Sequence, residues 1–173
     1  MLRLFTIPAL AVCAAGLFSA TAAAQTKVGV VNFEKALLDT AELKKASVDL
    51  ANKYKPRQDA LEKVQRELND IQTQLQASQG KLSAAGEAEL QARGQRKQTE
   101  AQRLTQDLQD DVTAERNTIL TRSGQRMTDI VKKLSEEKGF DLVVDAKNTY
   151  FSKPALDFTA DATAAYDKAF PVK

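Results

Sequence analysis

The fold is decided by the stretch LEKVQRELNDIQTQL, residues 61–75. Its apolar residues recur at alternating steps of three and four, and the pattern continues outward to Leu82: Leu61, Val64, Leu68, Ile71 and Leu75. This spacing is the a/d rhythm of a coiled-coil seam. Charged and amide side chains occupy most of the positions between these apolar residues. The stretch therefore predicts a long amphipathic helix with one narrow apolar face.

The helix that covers this face is predicted to follow directly in the chain. Two glycines and a serine interrupt the pattern around Gly80–Gly86, which favours a turn. Apolar residues resume at Leu90 and continue to Leu134, with two successive steps of four that locally unwind a supercoil. Residues 41–78 alone would span roughly 57 Å at about 1.5 Å per residue. We therefore expect residues 44–134 to form a nearly straight antiparallel helical hairpin, the arm, that projects from a body.

The first 24 residues are typical of an export signal. Arg3 precedes the apolar run Leu4–Phe18, and small residues lead to a cleavage site after Ala24. The run is too short for an ordinary membrane span. Cys13 has some likeness to a lipidation site, but a valine precedes it and the apolar run continues past it. We expect a Sec-type signal peptide, cleaved near Ala24, and a periplasmic location.

The composition of the remaining chain excludes most kinds of chemistry. Removing 24 of the 173 residues leaves 149, with no cysteine or histidine and with 24 basic against 23 acidic residues. The usual general base, thiol nucleophile and preferred zinc ligands are therefore absent. Adjacent carboxylates such as Asp110 and Asp111 diverge by about 100° on a helix. We predict no enzyme, no catalytic residue, no cofactor and no metal site, and the near-neutral charge predicts no nucleic-acid binding.

The segments that flank the arm, residues 25–43 and 135–173, predict a small β-rich body. Asn32 and Thr159 are the expected N-caps of two short helices, and Gly139 is expected to end the second limb of the arm. Strands are expected at three short segments rich in β-branched or aromatic residues: Val28–Val31, Phe140–Asp145 and Asn148–Phe151. The predicted fold class is α+β, mostly α.

So small a body buries too little apolar surface to be stable alone, and neither a disulfide nor a metal is available. We therefore expect oligomerisation, with strands of several chains pooled into a shared core. The residues expected in that core are Val28, Val30, Val31, Leu142, Val143 and Val144. The argument predicts more than one chain but gives no number.

The ends of the chain resemble the Skp (OmpH) family of periplasmic chaperones for outer-membrane proteins. The segments that carry the resemblance are the opening strand Lys27–Asn32, the closing Phe140–Ala146 and the later Asp157–Asp161. The resemblance covers the whole mature chain, although the arm matches only in pattern. It implies a homotrimer with a central β-barrel, whose three arms enclose a cavity that holds unfolded outer-membrane proteins without ATP. The resemblance also implies transient contact with membrane lipid or lipopolysaccharide. The basic residues of the family's lipopolysaccharide site cannot be matched to residues of this sequence.

A mildly basic client-binding surface is expected toward the tip of the arm. Five cations lie between residues 80 and 103 against three glutamates: Lys81, Arg93, Arg96, Lys97 and Arg103. Two alternatives stay open. Each cation would also suit an ordinary solvated helix face. The whole chain could instead be a periplasmic coiled-coil adaptor or scaffold for one folded envelope partner, although that function does not explain the strand-forming ends.

Overall fold

The structure is a computed structural model that describes residues 26–78 and 80–172, so the predicted signal peptide lies outside the described residues. The chain is mostly helical with a small strand element, as predicted. None of the described helices is long and apolar enough to cross a membrane. The elements in order are β1 (Val28–Val31), α1 (Phe33–Leu38), α2 (Ala41–Ala77), α3 (Ala84–Lys138), β2 (Leu142–Asp145) and α4 (Thr159–Ala169), with short 3-10 helices at Ala146–Asn148 and Pro154–Leu156.

The helices α2 and α3 form the predicted antiparallel arm. Val64 and Ile71 are buried along the seam. The seam leucines are partly exposed: Leu61, Leu68 and Leu75. The limbs approach closely at Gly94, where an added Cβ atom would lie 3.3 Å from Ile71 Cγ2. The arm thus has a narrow apolar seam, and most of its remaining surface is exposed.

Ion pairs between the limbs fix their register. Lys53 Nζ lies 2.6 Å from Glu115 Oε2, and Arg57 Nη1 lies 2.5 Å from Asp111 Oδ2. Because each pair joins a residue of α2 to a residue far along α3, a register slip would break both pairs together. Exposed pairs of this kind add little stability. Their effect here is to favour one alignment.

The tip of the arm lies between the end of α2 at Ala77 and the start of α3 at Ala84, earlier than the predicted Gly80–Gly86. Gly80 has a φ of 74°, in the left-handed region that favours glycine. The Ser83 hydroxyl accepts a hydrogen bond from the Gly86 N–H and caps α3, so Gly86 lies inside the first turn of that helix. The hydroxyl cap therefore starts the helix at Ala84, two residues before this glycine. Leu82 consequently lies in the turn and not on the seam.

The two strands of the body are adjacent and parallel. Val28 faces Leu142 and Val31 faces Asp145. Parallel strands need a long crossover, which here is the entire arm. The other side of β1 is bridged at Val30 by Asp157, so β1 is central. Within the described residues, the outer edge of β2 has no neighbouring strand.

The core of the body lies where the base of α3 meets α1, β1 and α4. Tyr166 and Met127 are its largest fully buried side chains. Seven buried residues form one cluster: Val31, Ala36, Leu37, Met127, Phe158, Ala162 and Tyr166. Since Met127 belongs to the long helix of the arm, the arm and the body share this core.

The prediction of a third strand at Asn148–Phe151 is wrong. The Asp145 carboxylate accepts a hydrogen bond from the Lys147 N–H at 2.8 Å, and the chain closes into a 3-10 helix that ends at Asn148. This local side-chain contact competes with strand pairing. Tyr150 and Phe151 follow with their side chains exposed to solvent.

One predicted helix cap is confirmed and the other is displaced by one residue. The Asn32 side chain caps α1 by accepting from the Lys35 N–H at 2.9 Å. Thr159 is the first residue of α4 rather than its cap. Its hydroxyl accepts from the Asn32 N–H at 2.8 Å, while the Asp157 carboxylate accepts from the Thr159 N–H. Thr159 therefore ties the start of α4 to the end of β1. Gly139 ends α3 in the left-handed region, as predicted.

Gly29→Ala is expected to destabilise the body. An added Cβ atom at Gly29 would lie 2.7 Å from Phe140 Cδ2 and 2.9 Å from Phe158 Cε1. These two rings already pack together with centroids 5.2 Å apart. Overpacking of this kind costs about 1–3 kcal/mol, which urea unfolding at equilibrium would measure.

Gly124→Ala is the matched control. Gly124 lies inside α3, and an added Cβ atom there meets no heavy atom within 4 Å. Alanine is better than glycine in a helix by about 0.5–1 kcal/mol, so this variant is expected to be more stable than the original chain. Equal effects of the two substitutions would contradict the close approach at Gly29.

Candidate functional site

Of the five cations predicted to bind clients, four are exposed and the fifth, Lys97, forms ion pairs within the chain. Lys81 lies in the tip turn, and Arg93, Arg96 and Arg103 lie exposed on α3. Their spacing puts the three arginines within about 80° of each other around the helix axis. Within the described part of the chain, none of these four cations forms an ion pair. They form a cationic stripe at the outer arm.

Lys97 differs from the other four. Its Nζ lies 2.9 Å from Glu100 Oε2 and 2.9 Å from Glu67 Oε2 across the seam, and only 26% of its side chain is exposed. Hydrogen bonds to Glu100 and Glu67 raise the pKa of Lys97 above its ordinary value. The structure therefore assigns Lys97 a contact between the limbs, where its charge is already compensated.

Of the six residues predicted at an oligomer core, three contribute to the chain's own packing. Val30 and Val31 are buried inside the single chain, and Val143 packs against its core. Leu142 is 53% exposed, whereas Val28 and Val144 are partly buried. The sequence did not single out Tyr150 and Phe151 for this role. Leu142 and these two aromatic residues are large apolar side chains of the body that are exposed, and the three together are called the exposed apolar face below.

The partly buried carboxylate of Glu42 connects the base of the arm to the last helix. Tyr166 Oη donates a hydrogen bond to Glu42 Oε2 at 2.5 Å, Arg122 Nη2 donates to Oε1 at 2.9 Å, and Arg126 Nη1 lies 3.1 Å from Oε2. Arg126 also lies over the Phe170 ring at 4.5 Å. Burial by itself raises the pKa of the Glu42 carboxyl, but the Tyr166 hydrogen bond and the two arginine charges outweigh burial and hold that pKa below its ordinary value.

Glu42→Gln is expected to lower the free energy of unfolding by about 1–3 kcal/mol at neutral pH, because it removes a charge that three donors bind. A carboxyl whose pKa is lowered by folding contributes stability above its unfolded pKa, here ordinarily 4.5, and loses it as the pH falls through the folded value. The difference between variant and original chain should therefore shrink in acid. Urea unfolding across a pH series measures it.

Glu62→Gln is the control for this substitution. Glu62 is exposed, and its one ion pair, with Arg66, is 3.5 Å long. Its removal is expected to change stability by less than about 0.5 kcal/mol. If both substitutions lowered the free energy of unfolding equally, the Glu42 carboxylate would not be what holds α4 to the arm.

The described residues hold no group of three or more histidine, cysteine, aspartate or glutamate side chains placed to bind a metal ion. Three kinds of surface are available: the cationic stripe, the exposed apolar face of the body, and an apolar groove at the base of the arm.

Comparison with known proteins relates the whole arrangement to one family. The family model described as "Outer membrane protein (OmpH-like)" matches residues 27–166. The protein named Chaperone protein Skp from Pectobacterium atrosepticum is 31% identical over 158 residues, which cover 86% of this chain and 93% of the relative. The protein of the same name from Yersinia enterocolitica is 29% identical over 157 residues, with 86% and 93% covered.

A solved structure gives the same result for the fold. The crystal structure of an OmpH-like chain from Caulobacter crescentus superposes with a TM-score of 0.69 at 19% sequence identity. The match covers 87% of this chain and 89% of that one. At this level of identity the likeness concerns the fold alone, and it includes both the arm and the body.

Proposed function

Because the chain belongs to the OmpH-like family, we propose that it is a periplasmic chaperone for outer-membrane proteins. It acts as a holdase without ATP. It holds unfolded outer-membrane β-barrel proteins in a cavity between helical arms and thereby prevents their aggregation. Export by the signal at residues 1–24 delivers the chain to the compartment through which these clients pass.

The observation that carries this proposal is the arm. Its two helices have 37 and 55 residues, far more than the shared core needs. The first helix alone spans about 55 Å. A holdase has to bind many sequences weakly and release them without fuel, and a long exposed surface with scattered cations supports many small contacts.

The proposal includes assembly of three chains around a shared β-barrel. The exposed apolar face of the body and the unpaired outer edge of β2 both support association, because such surfaces rarely stay open in a monomer. The number three rests on the resemblance to the Skp family. In a homotrimer, three arms projecting from one barrel enclose the cavity.

The cationic stripe supplies the electrostatic part of client binding. Lys81, Arg93, Arg96 and Arg103 are exposed, and many outer-membrane barrels are acidic. Lys97 contributes by holding the limbs in register and not by touching the client. Transient contact with membrane lipid or lipopolysaccharide is part of the proposal only through the family resemblance, and it is assigned to no residues of this chain.

Light scattering after dilution of a urea-unfolded outer-membrane barrel tests the proposal. The mature chain is expected to suppress aggregation. The triple variant Arg93→Gln, Arg96→Gln, Arg103→Gln should need about tenfold more chain and should show weaker salt dependence, since three exposed charge contacts at about 0.5 kcal/mol each are lost.

The control is a second triple variant at exposed cations outside the stripe, Lys132→Gln, Lys133→Gln and Lys153→Gln. It should act like the original chain. If the original chain bound a prefolded partner and ignored unfolded barrels, the adaptor function would replace the chaperone.

A further inference from the structure

An open apolar groove lies at the base of the arm, where α1, α2 and α3 meet. It encloses about 500 Å³, within the range of ligand-binding pockets. Its apolar lining comes from all three helices: Leu38, Leu43, Val48, Leu50, Ile119 and Leu120. Leu38 and Val48 remain 44% and 58% exposed. The groove is therefore an apolar surface that the chain's own packing leaves open.

The polar rim of this groove is cationic. Lys44 and Arg116 line it, and among the described residues no carboxylate does. The nearby Asp39 and Asp49 are paired with other lysines, Asp39 with Lys35 at 2.5 Å and Asp49 with Lys45 at 2.7 Å. Within the described residues, neither Lys44 nor Arg116 has an ion-pair partner. An occupant that combines apolar side chains with a carboxylate matches this surface.

The groove lies on the arm side of the body. Its residues on α2 and α3 lie between the shared core at Met127 and the pair that joins Lys53 to Glu115. The exposed apolar face at Leu142, Tyr150 and Phe151 belongs instead to the strand end of the body. The two apolar surfaces thus lie on separate parts of the chain.

We propose that this groove binds apolar side chains of unfolded, acidic outer-membrane barrel segments, with Lys44 and Arg116 contacting a flanking carboxylate. This inference rests on the proposed function. Barrel strands alternate apolar and polar residues, and alternate side chains of an extended segment lie about 6.6–6.8 Å apart on one side. Such a segment inserts its apolar side chains into the groove while its polar ones stay in water. The groove supplies the apolar contact that the cationic stripe lacks.

Substitution of Val48 tests the groove in the full mature chain. The probe is a small acidic outer-membrane barrel unfolded in urea. Val48→Glu places a carboxylate in the apolar lining, and we expect the concentration of chain that half-suppresses aggregation to rise about tenfold. Because Val48 is exposed, the urea midpoint of the chain itself should not change. Val172→Glu, at an exposed valine outside the groove, should act like the original chain.

A second measurement detects contact directly. The only cysteine of the sequence is Cys13, in the predicted signal, so Val48→Cys gives the mature chain a single thiol. An environment-sensitive fluorophore on that thiol should report a more apolar environment when unfolded barrel is added, and a fluorophore on Val172→Cys should not. Leu38→Ser provides an independent and milder loss at the groove.

The outcomes separate this inference from the proposed function. If the original chain protects the barrel but Val48→Glu and Leu38→Ser do so equally well, the groove inference is overturned and the chaperone function stands. If Val48→Glu dissociates the oligomer in native mass spectrometry, the groove is covered by a second copy and the inference is also overturned. If the original chain itself gives no protection, both fail.

Discussion

A chain that lacks the outer arm, residues 62–105, is expected to assemble normally and to lose its suppression of barrel aggregation. The deletion joins Leu61 to Gln106 through a short Gly-Ser turn. It keeps the inner pairs Lys53–Glu115 and Arg57–Asp111, so the remaining limbs stay in register. It removes most of the surface that the arms contribute to the proposed cavity.

The expected loss is at least about hundredfold in the protective concentration, because the contacts of the arm are many and individually weak. The groove at the arm base is kept. A fluorophore at Val48→Cys should therefore still report weak contact, without protection from aggregation. Native mass spectrometry measures the assembly of the shortened chain, and light scattering measures its protection.

The control keeps the arm length and changes only the tip. Replacement of the turn at residues 78–83 by a Gly-Ser sequence of equal length removes Lys81 but leaves both limbs and the three arginines. This variant should protect nearly as well as the original chain. Full protection by the chain without its outer arm would show that the body alone holds the client, which contradicts a cavity between arms.

Leu142→Asp is expected to dissociate the oligomer into single chains that stay folded, because the core that each body shares with its own arm at Met127 is not touched by the substitution. Leu142 is 53% exposed at the start of β2, and alternation along the strand directs it away from the core against which Val143 packs. Burying an unpaired carboxylate at an interface costs several kcal/mol, and an assembly of three chains contains the substitution three times. Native mass spectrometry should show monomers with unchanged helical circular dichroism.

Val143→Asp distinguishes the interface from the core. Val143 packs inside its own chain, so its substitution should lower the stability of the chain itself and reduce its helical signal. Leu142→Asp should leave both intact. An oligomer that survives Leu142→Asp would show that this face of β2 is not at an interface.

The arm could be predicted from sequence because its determinants are periodic and local. The spacing from Leu61 to Leu75 gave the seam, and side chains within one helical turn fixed the Asn32 cap. A local contact of the same kind explains why the predicted third strand at residues 148–151 does not form. The Asp145 side chain turns the chain at Lys147, which a count of β-branched and aromatic residues at 148–151 does not register.

The features that the sequence did not predict arise from contacts between distant residues. From sequence, Lys97 was predicted to be one of five exposed cations. In the structure it lies beside Glu67 of the other limb. That contact depends on the register of the two limbs, which the sequence of either limb alone does not determine. Glu42 is 124 residues from Tyr166 along the chain, and nothing near it indicates that partner. The groove needs three helices to meet, so its exposed valine, Val48, looked like an ordinary surface residue.

Native mass spectrometry of the mature chain, residues 25–173, tests the central claim most directly. The chain is measured alone and after addition of a urea-unfolded outer-membrane barrel, with the prefolded barrel in parallel. We predict a trimer that takes up one unfolded barrel and ignores the folded form. A monomer or dimer that ignores the unfolded barrel would contradict the chaperone function and leave an adaptor for a folded partner in its place.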